Sequence, residues 1–263
     1  MKFFYKPSRL FVCLLMLFCF PMACAQAQAR KTRHAPAKAA PAPPSSELAA
    51  DPAFHSVFRN QRVAVWRLEL APGAETQLDH RPHDYLILAI TAATLEMTSG
   101  GAPGHQLQMQ PEQMEIMKGG WAHKTVNHGD SPLTVVEVEP LAPLDPEHAV
   151  CGLTAHSCKS GEIGDVLGEY TESMLFETGS AILTKTEVAP NAAIPSHERK
   201  HDTLLVAAVA LHLRDRPGDT ETAANDRDLQ LPAGEVAWFT AGTRHLLKNL
   251  GSQDAHFLLL EIK

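Results

Sequence analysis

Histidines in the C-terminal half of the sequence have the residue type and spacing that a metal centre needs. His197, His201 and His245 could supply three imidazole nitrogens to one divalent transition metal, either Fe, Mn, Ni, Cu or Zn. Sites of this kind leave coordination positions open for a substrate. The alternative is a polar lining in which the same rings are hydrogen-bonded to their neighbours without a metal.

These histidines belong to a duplicated segment. At an offset of 118 residues the following pairs match without a gap: Arg81 with Arg199, His83 with His201, Asp84 with Asp202 and Leu86 with Leu204. A Gly-x-x-His-x-x-x-Asn pattern ends at Asn127 and again, 122 residues later, at Asn249. The residue counts predict about 0.016 chance occurrences of this pattern, so its double occurrence establishes the repeat. We expect each asparagine to cap a turn.

The repeated segments have the pattern of β-strands. Residues 66–70 and 114–117 alternate between apolar and polar side chains, while residues 85–90 and 204–213 are mostly apolar and are bounded by polar turns. Gly and Pro interrupt the chain at short intervals. Many short strands at regular spacing predict an all-β sandwich or barrel.

The repeated motifs resemble those of the cupin superfamily. The second cupin motif, G-x5-P-x-G-x2-H-x3-N, matches the second copy at Gly234, Gly242, His245 and Asn249, with Thr240 in place of the proline. In the first copy Gly120, His123 and Asn127 match, whereas Glu112 and Lys118 replace the first glycine and the proline. The resemblance implies a bicupin, with two tandem double-stranded β-helix (jelly-roll) barrels.

The first cupin motif, G-x5-H-x-H-x3/4-E, is where the sequence departs from the family. Its three ligand positions hold Asp79, Arg81 and Tyr85 or Leu86 in the first copy, and His197, Arg199 and Thr203 or Leu204 in the second. The usual set of three histidines and one glutamate is therefore incomplete in both copies.

The altered residues of the second copy are expected to share one strand face. Residues two apart on a strand point to the same side, so His197, Arg199, His201 and Thr203 should face the second-motif histidine, His245. Asp202 is a further candidate ligand, which strand parity turns outward unless a bulge intervenes.

The first copy offers a less complete metal set, His80, His83 and His123, in which His80 has the wrong parity. Asp79 and Arg81 are predicted to pair with each other and to fill the pocket with a salt bridge where a metal would have been. Arg81 and its counterpart Arg199 have two interpretations, which are inherited scaffold pairing and binding of an anionic ligand such as a carboxylate.

The N-terminal segment predicts export. Three basic residues precede an apolar run from Leu10 to Phe20, and small residues follow, so residues 1–27 are predicted to be a signal peptide cleaved after Ala27. Lipidation of Cys24 is left open. Residues 28–47 are predicted to be an Ala/Pro-rich basic linker. The protein is therefore expected to be periplasmic or secreted, without a stable membrane anchor.

The remaining chain divides into three segments. Residues 48–145 and 166–263 are predicted to be the two barrels, and residues 146–165 an inter-domain linker. In an exported protein, Cys151 and Cys158 within this linker are expected to form a disulfide, since their spacing differs from that of thiol oxidoreductases.

Charge and composition narrow the function. The net charge of −7 becomes −10 once residues 1–27 are removed, so nucleic acid is not an expected partner. The leading hypothesis is a small-molecule pocket in the second barrel that serves a metal-dependent enzyme with dioxygenase-like or isomerase-like chemistry, as the family resemblance implies. The alternative is a metal-free bicupin that binds a small ligand or is purely structural, and a homodimer is left open in either case.

Overall fold

The structure, a computed structural model, describes residues 48–99, 104–153, 158, 169–218 and 225–263. The predicted signal peptide and basic linker, residues 1–47, lie outside the described residues, as does much of the predicted inter-domain linker. The described residues form eighteen strands and two short 3-10 turns, Leu48–Ala50 and Pro146–His148. None of the described helical segments is long and apolar enough to cross a membrane.

Nine strands belong to each copy. Those of the first are β1 (Phe54–Arg59), β2 (Val63–Leu70), β3 (Asp79–Arg81), β4 (Tyr85–Ala89), β5 (Ala93–Thr98), β6 (His105–Met109), β7 (Met114–Met117), β8 (Trp121–Asn127) and β9 (Leu133–Pro140). Those of the second are β10 (Tyr170–Glu177), β11 (Ala181–Val188), β12 (Ala193–Glu198), β13 (Asp202–Ala207), β14 (Leu211–Pro217), β15 (Arg227–Leu231), β16 (Val236–Phe239), β17 (Arg244–Asn249) and β18 (Ala255–Ile262).

The strands of each copy form two antiparallel sheets. In the first copy the orders are β1-β2-β9-β4-β7 and β3-β8-β5-β6, and in the second they are β10-β11-β18-β13-β16 and β12-β17-β14-β15. The two sets of orders are identical once the strands are matched in sequence. The predicted all-β fold of two tandem jelly-roll barrels is confirmed.

The continuous apolar runs are strands that are buried on both faces. In β4, Tyr85 and Ile87 point into the first barrel, whereas Leu86 and Leu88 point into a separate apolar cluster. That cluster lies between the two five-stranded sheets and also receives Leu204 from β13. The runs do not alternate in polarity because one side chain in two fills a barrel and the next packs against the other barrel.

Polar and aromatic contacts join the barrels at the edges of this cluster. Pairs that cross between them are Phe58 with Trp238 (ring centroids 5.8 Å apart), Arg67 with Glu235 (2.9 Å), Arg62 with Asp202 (3.2 Å) and His256 with Glu112 (2.7 Å). Asp202, considered from sequence as a metal ligand, is therefore turned outward and pairs with an arginine of the first barrel.

The repeated glycines and asparagines fix the ends of the histidine strands. Gly120 and Gly242 have φ angles of +83° and +75°, in the left-handed region that favours glycine. Their amides donate to the main-chain carbonyls of Arg81 and Arg199. The side-chain oxygens of Asn127 and Asn249 each accept a hydrogen bond from the amide two residues later, which confirms the predicted turn caps.

The disulfide predicted from the sequence is present. Cys151 and Cys158 are bonded, and an isolated β-bridge to Glu177 holds Cys151 against the first strand of the second barrel. The bond closes a short loop between the two copies, at the end of the chain segment that leads into β10.

Candidate functional site

The structure places matching residues at the same point inside each barrel. Asp79 pairs in register with His123 across β3 and β8, and His197 pairs with His245 across β12 and β17. In β12 the register shifts between Ile194 and His197, and this β-bulge brings both side chains to the inner face although they are three residues apart.

In the first barrel a buried arginine occupies this point. The Arg81 side chain is 1% exposed, and its Nε donates to Asp79 Oδ2 over 3.2 Å. One terminal nitrogen donates to Glu137, and the other lies 3.9 Å from Glu139 Oε2. The predicted pairing of Asp79 with Arg81 is confirmed, and two carboxylates from β9 extend it to a cluster.

Aromatic rings close the first barrel around the arginine. The Arg81 guanidinium carbon lies 5.1 Å from the ring centroids of both Phe54 and Tyr85, within the range of cation–π contacts. The Tyr85 hydroxyl lies 3.1 Å from His123 Nε2. Burial raises the pKa of Tyr85, so the phenol keeps its proton and can donate it to the histidine. The ring nitrogen of His123 that would face a metal is therefore engaged.

The ionisation of this cluster follows from its burial. Burial raises the pKa of Glu137 to about 7, against the opposing effect of the Arg81 charge. Burial alone would lower the pKa of Arg81, but the nearby carboxylates, chiefly Glu137 and Asp79, outweigh it and raise that pKa. Burial lowers the pKa of His123, partly offset by Asp79. A permanent cation thus stands among carboxylates, one of which holds a proton readily.

The other histidines of the first copy do not join His123. His80 is exposed, on the opposite face of β3 from Asp79 and Arg81, as its parity predicted. His83 is half-buried, and its Nδ1 lies 2.9 Å from Glu139 Oε1. The set of His80, His83 and His123 is therefore not assembled as a ligand group.

In the second barrel two histidine rings face each other. The ring centroids of His197 and His245 are 4.7 Å apart. His197 Nδ1 donates to the Pro195 carbonyl over 2.8 Å, which leaves the lone pair on Nε2. Burial, with Arg199 and His245 nearby, lowers the pKa of His197 to about 4, so the ring is neutral at physiological pH.

A buried carboxylate orients the second ring. Asp215 on β14 is fully buried, and its Oδ1 lies 3.5 Å from His245 Nδ1. Its other oxygen accepts from Arg227 Nε over 3.0 Å. Burial raises the pKa of Asp215, but His245 and Arg227 outweigh it and lower that pKa, so the carboxylate stays ionised and directs the Nδ1 proton of His245 towards itself.

Both Nε2 atoms are left without a partner. Within the described part of the chain, the Nε2 atoms of His197 and His245 are buried and have no hydrogen-bond partner. The same holds for the Nε atom of Arg199. Buried polar atoms of this kind are rare in folded proteins and call for an explanation such as a ligand or an ordered water.

Both arginines pair with carboxylates of their own barrel. The terminal nitrogens of Arg199 donate to Glu261 over 2.9 Å and to Glu172 over 3.2 Å, and Arg81 is sealed in its cluster. These ion pairs are those that the scaffold interpretation predicts, and in Arg199 they leave the Nε atom without a partner among the described residues. Neither guanidinium has a free bidentate edge for a carboxylate ligand.

His201 does not join the histidine pair. The strand that carries His197 ends at Glu198, so the alternation expected to bring His201 to the same face does not extend that far. The His201 carbonyl instead accepts a hydrogen bond from the Thr203 hydroxyl. Among the described residues no group of three or more His, Cys, Asp or Glu side chains could hold a metal ion.

The residues of the second barrel do not fit the metal-binding set of the cupin motifs. Two nitrogen donors, His197 and His245, occupy ligand positions, but Arg199 and Thr203 occupy the others. A guanidinium cannot lose its charge to accommodate a metal cation. The metal set predicted from His197, His201 and His245 is therefore reduced to a histidine pair.

A small pocket opens beside His197. It has a volume of about 210 Å³ and is lined by Tyr170, Glu172, Ile194, Pro195, Ser196 and His197. It lies along β10 and β12, where the two sheets of the second barrel meet.

Asp215 is the residue of this site that sequence reasoning missed. It is the third inward position of β14, after Leu211 and Leu213. A carboxylate at the apolar phase of an alternating strand is a detectable signal of a buried polar group.

Comparison with solved structures identifies the architecture. The chain is similar to AerE from Microcystis aeruginosa (TM-score 0.55, 11% identity, 81% of this chain and 98% of that chain) and to a cupin 2 conserved barrel domain protein from Leptotrichia buccalis (0.51, 10%, 83% and 92%). It is also similar to oxalate decarboxylase of Bacillus subtilis, a protein with Mn(II) centres (0.55, 9%, 84% and 77%). No protein-family model and no curated protein matches the sequence. Topology, duplication and these similarities together show that the chain has a bicupin fold, with two tandem cupin-type barrels.

Proposed function

We propose that this chain is an exported small-molecule-binding bicupin whose ligand site is the His197–His245 pair of the second barrel, with the first barrel as its structural partner. The observation that carries the proposal is the pair of buried Nε2 atoms that lack a partner. Support for export comes from the N-terminal sequence alone.

The energetic argument compares the two barrels. A buried polar atom without a hydrogen bond costs about 1–3 kcal/mol, and a ligand that supplies the missing bond recovers this energy. In the first barrel the equivalent nitrogen, His123 Nε2, is already bonded to Tyr85. In the second barrel the Nε2 atoms of both His197 and His245 lack such a partner within the described residues, so an added molecule could complete them.

The alternative function of the same site is metal-dependent catalysis. Metal-bound histidines usually donate their second ring nitrogen to a carbonyl or a carboxylate. His197 and His245 have this support from Pro195 and Asp215. Among the described residues, no third side chain completes a metal-binding group with these two histidines, so we derive no reaction through a metal.

Ligand screening combined with metal analysis tests the proposal. The full chain would be screened by thermal unfolding against small sugars, polyols, amines and carboxylates, beside a His197→Ala/His245→Ala variant. A His212→Ala variant is the matched control, since His212 lies on β14 of the same barrel and lines a different pocket. Ligand-dependent stabilisation lost only in the double variant supports the proposal.

Two results would contradict it. No stabilisation by any compound class would remove the ligand-binding function. About one stoichiometric transition metal in the wild-type protein, lost in the double variant and retained in the control, would instead favour the metal-dependent enzyme.

A further inference from the structure

The hydrogen-bonding groups around the histidine pair restrict what the ligand can be. His197 Nε2 carries a lone pair, because Nδ1 donates its proton to Pro195. Asp215 Oδ1 is the carboxylate oxygen that lies 3.5 Å from His245 Nδ1, so we assign the ring proton to Nδ1 and a lone pair to Nε2. The site therefore presents two acceptors that lack donors.

One donor accompanies the two acceptors. Arg199 Nε is buried and has no partner within the described residues, although both terminal nitrogens are bonded to glutamates. Arg199 donates to Glu172, which lines the same small pocket as His197, so the guanidinium lies beside that pocket. A complementary ligand must both donate and accept hydrogen bonds.

The guanidinium groups around the pair have carboxylate neighbours. Arg199 contacts two carboxylates, Glu172 and Glu261, and Arg227 contacts Asp215. A third cation, Arg244, acts on His197. Each of these guanidinium groups thus has a carboxylate beside it, with Glu198 in register opposite Arg244, so no unpaired charge is offered to an anion or a cation.

We infer that the ligand of this site, if the proposed function holds, is a small neutral polyhydroxyl compound. A hydroxyl group donates to an imidazole lone pair and accepts from Arg199 Nε, whereas a carboxylate only accepts and an ammonium group only donates. The pocket volume of about 210 Å³ is below the roughly 300 Å³ at which drug-sized ligand pockets begin, which favours a molecule of a few carbons.

Three probes of equal chain length separate the chemical classes. Erythritol, succinate and 1,4-diaminobutane each have four carbons and carry hydroxyl, carboxylate and ammonium groups respectively. Binding to the full chain would be measured by calorimetry and by the ¹⁵N signals of the histidine rings. We expect erythritol to bind and to shift the Nε2 signals of His197 and His245, because a hydroxyl proton approaches each lone pair.

Variants provide the control. His197→Phe and His245→Phe each remove one acceptor, and we expect each to weaken erythritol binding about tenfold or more. His212→Phe should leave it unchanged. The ¹⁵N measurement on the wild-type chain decides the question if a variant fails to fold.

The failure of this inference is distinguishable from failure of the proposed function. Histidine-dependent binding of succinate or of 1,4-diaminobutane in place of erythritol overturns the polyhydroxyl class and leaves the binding site standing. Absence of binding by all three probes together with an empty ligand screen, or erythritol binding that the two Phe variants do not weaken, overturns both.

Discussion

The two barrels share one topology but have opposite interiors. In the first, a fully buried arginine, three carboxylates and two aromatic rings fill the position where a cupin ligand set would lie. In the second, two imidazoles remain with unsatisfied nitrogens. The duplicated fold therefore places polar side chains at the same position in both barrels. The individual residues decide whether these groups bond to one another, as in the first barrel, or are left to bind a ligand, as we propose for the second.

The position of the arginine depends on its neighbours. The strand registers show which residues occupy equivalent positions in the two barrels. Phe54 on β1 corresponds to Glu172 on β10, and Glu137 on β9 corresponds to Leu259 on β18. In the first barrel, the Phe54 ring and the Glu137 carboxylate hold the Arg81 side chain inside. In the second barrel, Glu172 lies on the edge strand, a leucine replaces Glu137, and only Glu261, which matches Glu139, is an inner carboxylate. The Arg199 side chain is 11% exposed, against 1% for Arg81.

The largest expected difference between the barrels is the response to loss of the arginine. Arg81→Met leaves Asp79, Glu137 and Glu139 buried without their cation, and we expect a loss of about 3–5 kcal/mol in the free energy of unfolding. Arg199→Met leaves two partly exposed carboxylates, and we expect about 1–2 kcal/mol. Chemical denaturation of the two variants beside the wild type measures both values.

Arg81→Lys is the control for charge. It keeps a cation in the cluster but loses the fork geometry that contacts several carboxylates, so it should fall between the wild type and Arg81→Met. Equal losses for the Arg81→Met and Arg199→Met variants would show that the two arginines have the same structural role.

The next effect is the pH dependence of the first barrel. The pKa of Glu137 is raised to about 7 in the folded chain, above the 4.5 of the free group, so the folded state binds the proton more tightly. Its contribution is complete below pH 4.5 and is lost as the pH rises through 7. We expect the stability of wild type relative to Glu137→Gln to fall by up to about 3 kcal/mol over this range.

Denaturation of both proteins at several pH values between 4.5 and 8 measures this slope. Taking the difference between the two proteins removes the contributions of the histidines, which titrate in the same window. A difference that stays constant with pH would mean that Glu137 is ionised throughout and that the cluster holds no proton.

Most of the fold was predictable from the sequence. The repeat at offsets of 118 and 122 residues predicted two equivalent barrels, and the two-residue spacing of Asp79 and Arg81 predicted their salt bridge. These predictions succeed because a duplication and a strand alternation can both be read directly from the sequence. Neither requires knowledge of which distant strands meet in the fold.

The site was less predictable because it depends on where strands end and on which strands meet. The alternation beyond Glu198 was assumed to continue, yet the strand ends there and His201 lies in the turn. Asp215 and Arg227 come from β14 and β15. Only in the folded sheet does β14 pair with the histidine strand β17, and β15 with β14. Sequence spacing does not locate such long-range neighbours.

The smallest expected effect is a pH dependence of stability in the second barrel, opposite in sign to that of the first. The pKa of His197 is lowered to about 4 by burial, so the unfolded chain takes up a proton more readily as the pH falls from 6.5 towards 4. Stability should therefore fall on acidification. We expect about 1 kcal/mol, since the ring is partly exposed and water screens its charge.

His197→Asn tests this effect, because its amide can still donate to Pro195 but does not titrate. The variant should lose less stability than the wild type between pH 6.5 and 4, and the His197 ring signals in a nuclear magnetic resonance titration should stay those of the neutral form down to about pH 5. Protonation of His197 near pH 6.5 would mean that water reaches its Nε2, and the contrast between a closed and an open barrel would then rest on His245 alone.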